Sequence, residues 1–224
     1  MRVRLALPKG RLQGEVSRLL TTGGLELENY EEGSRSYRPK APGFPNLFTK
    51  VFQEKDIPVQ VAIGNYDLGI CGMDWVDEHI VKFPSSSLVK LRELGVGTRE
   101  LWVVASSSSD FITLKDLEQL SASRTISIVS EYGNLAEAFV FDHRLRRFRV
   151  FPVWGAAEAY LPEKADIALV ANGFKKELVK KKLRPVARVM SAQAVLIANR
   201  DSFASEDLSP FLSVVNRAEV ARGE

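Results

Sequence analysis

The chain has 224 residues, of which 45% are hydrophobic, 26% charged and 9% aromatic. This ordinary globular composition is enough for one large domain or two small lobes around a real core, and it excludes a disordered or collagen-like chain and a disulfide-stapled miniprotein. The 31 Lys and Arg against 28 Asp and Glu leave a formal charge of +3, which suits polyanionic ligands without demanding nucleic acid.

The single cysteine, Cys71, cannot form an internal disulfide or a cysteine-based zinc site, and its first reading is a small buried hydrophobe in a reducing compartment. No stretch approaches the roughly 18 consecutive apolar residues of a membrane span. Leu5-Ala6-Leu7 stops at once against Pro8-Lys9-Gly10-Arg11, too soon for a signal peptide. The expectation is a soluble cytoplasmic protein that takes no membrane.

Short apolar runs alternate with helix-length amphipathic segments from Val3 onward, which is the pattern of βαβ construction and predicts an α/β fold. Val3 to Leu7 reads as a buried strand. A helix from about Arg11 places Leu12, Val16, Leu19 and Leu20 at helical spacing and ends at Gly23-Gly24. Asp56-Ile57-Pro58 reads as a helix start, with Asp56 as N-cap and Pro58 in the first turn. Asp67 to Gly72 reads as a strand with a tight turn, a helix carries Trp75 and Val76, and extended segments follow at Leu88 to Leu94 and Leu101 to Ala105. Ser106 to Ser109 is the clearest linker-like stretch.

Beyond it the alternation restarts as a second α/β unit. Strands are predicted at Thr125 to Val129, Arg149 to Val153 and Asp166 to Ala171, with helices from about Asn134 to Phe141 and through Ala156 to Tyr160. Lys175 to Lys182 reads as a basic helix, Pro185 to Val189 and Ala194 to Ala198 as extended, and Ser205 onward as a terminal helix with Asp207 and Leu208 early in it. No internal repeat or low-complexity tract is visible.

Chemistry-bearing residues gather at the turns that follow strands, where open α/β sheets present ligands to helix N-termini. In Leu7-Pro8-Lys9-Gly10-Arg11 a flexible Gly and two cations suit a phosphate, and a plain turn with solvated charges is the alternative. Glu131-Tyr132-Gly133-Asn134 offers an acid, a ring and an amide, or else an Asn N-cap beside a solvated Glu. Glu158, in Gly155-Ala156-Ala157-Glu158, is either a site carboxylate or dipole compensation in a first helical turn. Ala171-Asn172-Gly173-Phe174-Lys175-Lys176 can bind diphosphate through backbone N–H groups, although it has the spacing of neither a Walker A loop nor GxGxxG. Asp166 can approach magnesium or ribose hydroxyls, or cap the entry of its strand. The cluster Arg144, Arg146, Arg147 and Arg149 around Phe148 suits a solvated face or subunit contact better than a nucleic-acid backbone, because aromatic platforms beside it are scarce. His79 and His143 have no metal-ligand spacing. No nucleic acid is therefore expected as a partner.

Taken together, Leu5-Ala6-Leu7-Pro8-Lys9-Gly10-Arg11-Leu12, Asp56-Ile57-Pro58 and Asp67-Leu68-Gly69-Ile70-Cys71-Gly72-Met73-Asp74 resemble, in order and spacing, the catalytic subunit of ATP phosphoribosyltransferase, the first enzyme of histidine biosynthesis. Glu131-Tyr132-Gly133-Asn134-Leu135 resembles that family's KYPNL segment, Gly155-Ala156-Ala157-Glu158 its G-x-V-E, and Ser191 to Asn199 its final core strand.

The resemblance implies an α/β, two-lobed, periplasmic-binding-protein-like fold whose chain crosses twice, with the active site in the inter-lobe cleft. Residues 1–96 with 187–224 would form one lobe and 97–186 the other. It implies a short-form enzyme that transfers 5-phosphoribosyl from phosphoribosyl diphosphate to N1 of ATP with magnesium (Mg2+). A separate regulatory subunit resembling histidyl-tRNA synthetase would join it in a homo- or hetero-oligomer. Lys9 and Arg11 are the candidate catalytic cations. Gly10, Arg35, Cys71, Gly72, Asp74, Glu131, Tyr132, Asn134, Glu158, Asp166, Asn172, Gly173 and Lys175 are the candidate substrate contacts. Two departures stand out. The stretch Ala168 to Glu177 lacks the hydroxyl residues and one Asp of the family's DLV-S/T-G-x-T-L loop, and Gln53 stands where the family commonly has Arg. The alternative they imply is a weak or inactive homologue acting as a nucleotide-binding or regulatory subunit.

Overall fold

The computed structural model describes residues 2–172 and 175–223. The chain divides into two compact units, Met1–His79, Phe83–Gly97 and Gln193–Glu224 in the first, Ile80–Lys82 and Thr98–Ala192 in the second. Among the described residues no helix is long and apolar enough to cross a membrane.

In the first unit, β1 (Val3–Pro8) lies between β2 (Leu47–Phe52) and β3 (Leu68–Gly72), all parallel. β10 (Ala194–Asn199) then runs antiparallel between β3 and the edge strand β4 (Leu88–Glu93). The inner strands β3 and β10 are buried at every position, whereas β4 is exposed at three of its six, which is why the inner ones read as unbroken apolar runs. Helices α1 (Gln13–Thr22), α2 (Ile57–Ala62), α7 (Arg200–Ser205) and α8 (Ser209–Gly223) complete the connections, with α3 (Met73–Lys82) belonging to this unit as far as His79. The core joins Leu5 and Leu7 of β1 and Leu68 and Ile70 of β3 to Leu19 and Leu20 of α1 and to Phe211, Val214 and Val215 of α8. Each fully buried Leu or Ile contributes about 1.5–3 kcal/mol there.

The second unit repeats this order without a sequence repeat. β6 (Ile126–Ser130) lies between β7 (Phe148–Pro152) and β8 (Ile167–Asn172), all parallel. β5 (Arg99–Ser106) then runs antiparallel between β8 and β9 (Leu183–Ala192). Helices α4 (Leu114–Ser123), α5 (Gly133–Asp142) and α6 (Lys175–Lys180) connect them. In both sheets the antiparallel inner strand is the first to follow a passage from one unit to the other.

Three expectations change. Ser106 to Ser109 is no boundary, because the chain passes between units at Gly97/Thr98. The stretch turns β5 towards α4, and the Arg184 guanidinium donates to the carbonyls of Ser107 (2.6 Å), Ser109 (3.1 Å) and Phe111 (2.7 Å). The expected return at 186/187 falls inside β9, which pairs with β5 as far as Ala192. Asp56 stands at the N-cap of α2 with Pro58 in the first turn, as expected, although its side chain makes no capping bond and a 3-10 turn over Glu54–Asp56 leads into the helix. The terminal helix is two helices, and Asp207 precedes the second, its Oδ1 accepting the Ser209 N–H at 3.1 Å. β2 and α4 were not legible as elements in the sequence.

Candidate functional site

The parallel strands of the first unit end at one edge, and the chain turns there into α1, α2 and α3. Lys9 N–H donates to the Phe52 carbonyl at 2.7 Å, so the ends of β1 and β2 are fastened together. Gly10 follows at φ +80°, a left-handed conformation that favours glycine, and opens a 3-10 turn over Gly10–Leu12. The Lys9 ammonium lies 5.0 Å from the Tyr37 ring centroid and donates to the Tyr37 hydroxyl at 3.4 Å. Arg11 is engaged in another direction: Nη2 pairs with Glu54 Oε2 at 3.0 Å and Nη1 donates to the Gly97 carbonyl at 2.7 Å. Gly97 adopts φ +66°, and a Cβ there would overlap Leu12 Cδ2. The turn thus offers a phosphate one half-exposed ammonium and a guanidinium already pinned on two sides.

Cys71, Gly72 and Asp74 lie beneath this edge. Cys71 and Asp74 are wholly buried. Burial pushes the Cys71 thiol well above its ordinary range, and the Asp74 and Glu54 carboxylates push it further, which keeps it a protonated, inert hydrophobe. Arg35 is exposed on the segment that carries Tyr37.

In the second unit the ends of β6 and β8 and the turn after β7 enclose a hollow of about 270 Å³, lined by Glu131, Tyr132 and Glu158 together with Ala156, Ala157 and the Leu169-Val170-Ala171 stretch. Ser130 organises it: its hydroxyl donates to the Leu169 carbonyl and accepts the Tyr132 N–H, both at 2.8 Å. Glu131 Oε1 accepts the Gly155 N–H at 2.9 Å, and Lys181 Nζ pairs with Glu158 Oε1 at 3.1 Å. Tyr132 is buried, with the Arg99 guanidinium 6.0 Å from its ring centroid. The structure therefore brings Glu131, Tyr132 and Glu158 together, with Asn134 in the following helical turn.

Asn134 is not the N-cap of α5, a position Tyr132 holds, and Glu158 sits in a short 3-10 turn, so its partner is a lysine rather than a helix dipole. Asp166 does not join the hollow. It stands at the opposite end of β8, where it accepts from Arg124 at 2.7 Å and from the Ser127 N–H at 2.8 Å, the strand-entry role. Gly173 and the side chains of Asn172 and Lys175 lie outside the described residues. Glu54, Gln13, Tyr30, Tyr37 and Lys181 were missed from the sequence. Of these only Glu54, two residues before the recognisable Asp56-Ile57-Pro58, carried any local signal.

The arginine cluster is exposed at the turn between α5 and β7, and Arg147 Nη1 donates to the Ser123 carbonyl at the end of α4 at 3.2 Å. Glu131 and Glu158 supply the oxygen chemistry magnesium favours, and no group of three or more possible metal ligands occurs among the described residues.

Two α/β units, each with candidate site residues at the ends of three parallel strands, place the chain in the class of periplasmic-binding-protein-like folds. An aliphatic sulphonate binding protein from Escherichia coli aligns over 99% of this chain and 70% of its own at a TM-score of 0.58 and 13% identity. An ATP phosphoribosyl transferase (HisG:HisZ) complex from Thermotoga maritima aligns over 96% of this chain and 98% of its own at 0.76 and 17% identity. The family model for ATP phosphoribosyltransferase matches residues 53–217. ATP phosphoribosyltransferases of Halothermothrix orenii and Aquifex aeolicus are 30% and 31% identical to it, over 88% and 90% of this chain and 85% and 86% of theirs. That of Prosthecochloris aestuarii is 30% identical over 90% of this chain, which spans 65% of that relative's length. The chain belongs to the ATP phosphoribosyltransferase family.

Proposed function

We propose that the chain transfers the 5-phosphoribosyl group of phosphoribosyl diphosphate to N1 of ATP, giving phosphoribosyl-ATP and diphosphate, the first step of histidine biosynthesis. The observation that carries this reading is that each unit delivers its family-like segments, the Lys9 turn in one and Glu131 with Glu158 in the other, to the ends of its parallel strands.

N1 of adenine already holds a lone pair. It forms the bond to C1 of the ribose while the C1–oxygen electron pair leaves with diphosphate. No strong base is required, so catalysis rests on orientation and on stabilising the charge that develops. Lys9, steadied by Tyr37, neutralises phosphate oxygen, and Arg11, held by Glu54 and the Gly97 carbonyl, offers its guanidinium N–H groups beside it. Glu131 and Glu158 accept from ribose hydroxyls or from the water shell of magnesium. Bound magnesium would neutralise the leaving diphosphate. Asn172, Gly173 and the helix after them are the expected holders of the 5-phosphate, and Gly173 and the side chains of Asn172 and Lys175 lie outside the described residues.

The family and the lone reduced thiol support a cytoplasmic setting. A separate histidyl-tRNA-synthetase-like regulatory subunit is proposed as partner, supported by the fold shared with the Thermotoga complex. The test is release of diphosphate from ATP, phosphoribosyl diphosphate and magnesium, with and without such a subunit, while phosphoribosyl-ATP is followed directly. Product that depends on both substrates is expected. Nucleotide binding without product under either condition would instead mark a nucleotide-binding or regulatory homologue.

A further inference from the structure

Gln13, the first residue of α1, is nearly inaccessible, with 3% of its surface exposed, yet among the described residues its polar atoms form no hydrogen bond to a side chain. All three of its hydrogen bonds go to backbone. Its Oε1 accepts the Gly10 N–H at 3.3 Å, and its Nε2 donates to the carbonyls of Glu31 at 3.0 Å and Ser34 at 3.1 Å. A buried carboxamide is retained only where its donors and acceptor are satisfied, so one side chain joins the Gly10 turn to a segment 18 to 21 residues further along.

That segment is held to the same strand end at both sides of the glutamine. The buried Tyr30 hydroxyl donates to the Pro8 carbonyl at 2.8 Å, Tyr37 meets the Lys9 ammonium, and the Val51 N–H donates to the Tyr37 carbonyl at 3.0 Å. Ser34 itself closes a local turn by donating to the Asn29 carbonyl at 2.6 Å. Arg35, exposed, follows the residue that Gln13 holds.

We propose that Gln13 is a positioning residue for anion binding. By fixing residues 31–34 to the Gly10 turn it makes Arg35 and the Tyr37–Lys9 pair part of one subsite for the diphosphate or phosphate of the substrate. This rests on the transferase reading of the site, in which Arg35 is already a candidate substrate contact, and what it adds is the role of Gln13. Gln13 touches no substrate atom and acts through the groups it holds.

The experiment is a comparison of wild type with Gln13→Glu, which keeps the acceptor for Gly10 but loses both donors, and Gln13→Met, which keeps the volume and loses all three bonds. Calorimetry with phosphoribosyl diphosphate, which requires no turnover, is expected to show both variants binding about tenfold more weakly, with KM raised by the same factor and kcat nearly unchanged, the mark of lost ground-state binding. Backbone amides of residues 29–37 should exchange with solvent faster. Arg35→Ala should weaken binding in wild type and have little further effect in the Gln13→Met background, because the segment is already unfixed.

Lowered thermal stability with unchanged affinity, or additive Gln13 and Arg35 effects, would overturn the proposal, as would failure of wild type to bind phosphoribosyl diphosphate. Wild type that binds this ligand but makes no product would overturn the transferase reading alone, and the affinity comparison would still decide the role of Gln13.

Discussion

Asp67 shows how one residue ties distant parts of the first unit together. Its carboxylate accepts from the Arg4 N–H at 2.8 Å, from the Arg4 guanidinium at 2.5 and 3.1 Å and from the Ser202 hydroxyl at 2.8 Å, and the residue is 3% exposed. Burial pushes its pKa up, but the hydrogen bonds from Arg4 and Ser202 outweigh that, and the net shift is downward. A folded-state pKa below the unfolded value means that the unfolded chain binds the proton first. The stabilisation is therefore full above the unfolded value, about pH 4, and is lost as pH falls through the lower folded one. Asp67→Asn should cost about 2 kcal/mol near neutral pH and flatten this acid limb, as urea titrations between pH 3 and pH 7 would show. Lys9→Ala should lower kcat/KM about 100-fold with little change in melting temperature, because the ammonium meets exposed Tyr37 rather than the core. Unchanged turnover would remove Lys9 from the site.

At the scale of elements, α4 illustrates a helix maintained by its ends more than by its buried face. Only Leu117 and Ser121 of it are buried. Thr113 Oγ1 accepts the Asp116 N–H at 3.2 Å while Asp116 Oδ2 accepts the Thr113 N–H at 2.8 Å, a reciprocal capping box. Asp116 stands where a capping box more usually has Glu or Gln, which left the Thr113-Leu114-Lys115-Asp116 start of α4 unmarked in the sequence. Thr113→Ala should destabilise the protein by about 1 kcal/mol, visible as a lower melting temperature. β2 escaped notice for a different reason: a six-residue strand at a sheet edge has too few alternations to stand out, and its pairing with β1 is what makes it a strand.

At the scale of the molecule, the second unit's sheet is built wholly from the continuous stretch Thr98–Ala192, while the first needs β10, which the chain supplies only after returning. β10 is the inner strand joining β3 to β4, and all six of its residues are buried. Truncation after Ala192 should therefore unfold the first unit and leave the second structured. Circular dichroism should then lose about half of its folded signal, and Cys71, the sole thiol and wholly buried in the intact protein, should react at once with a thiol reagent. A slow thiol in the truncated chain would show that the first unit folds without β10.

The α/β class, most strand positions and the turns bearing Lys9, Glu131 and Glu158 were legible because they depend on apolar periodicity and on Gly-containing turns, which are properties of neighbouring residues. The resemblance carried by those turns anticipated the family. Which side chains meet was decided by folding alone. Gln13 and Ser34 are 21 residues apart, Arg11 and Glu54 43, Arg11 and Gly97 86, and Glu131 and Gly155 24. The same distance in sequence hid the burial of Asp74 and the placing of Asp166 at the far end of its strand. A carboxylate's role is set by the groups that share its surroundings, and those surroundings exist only once remote segments have packed together.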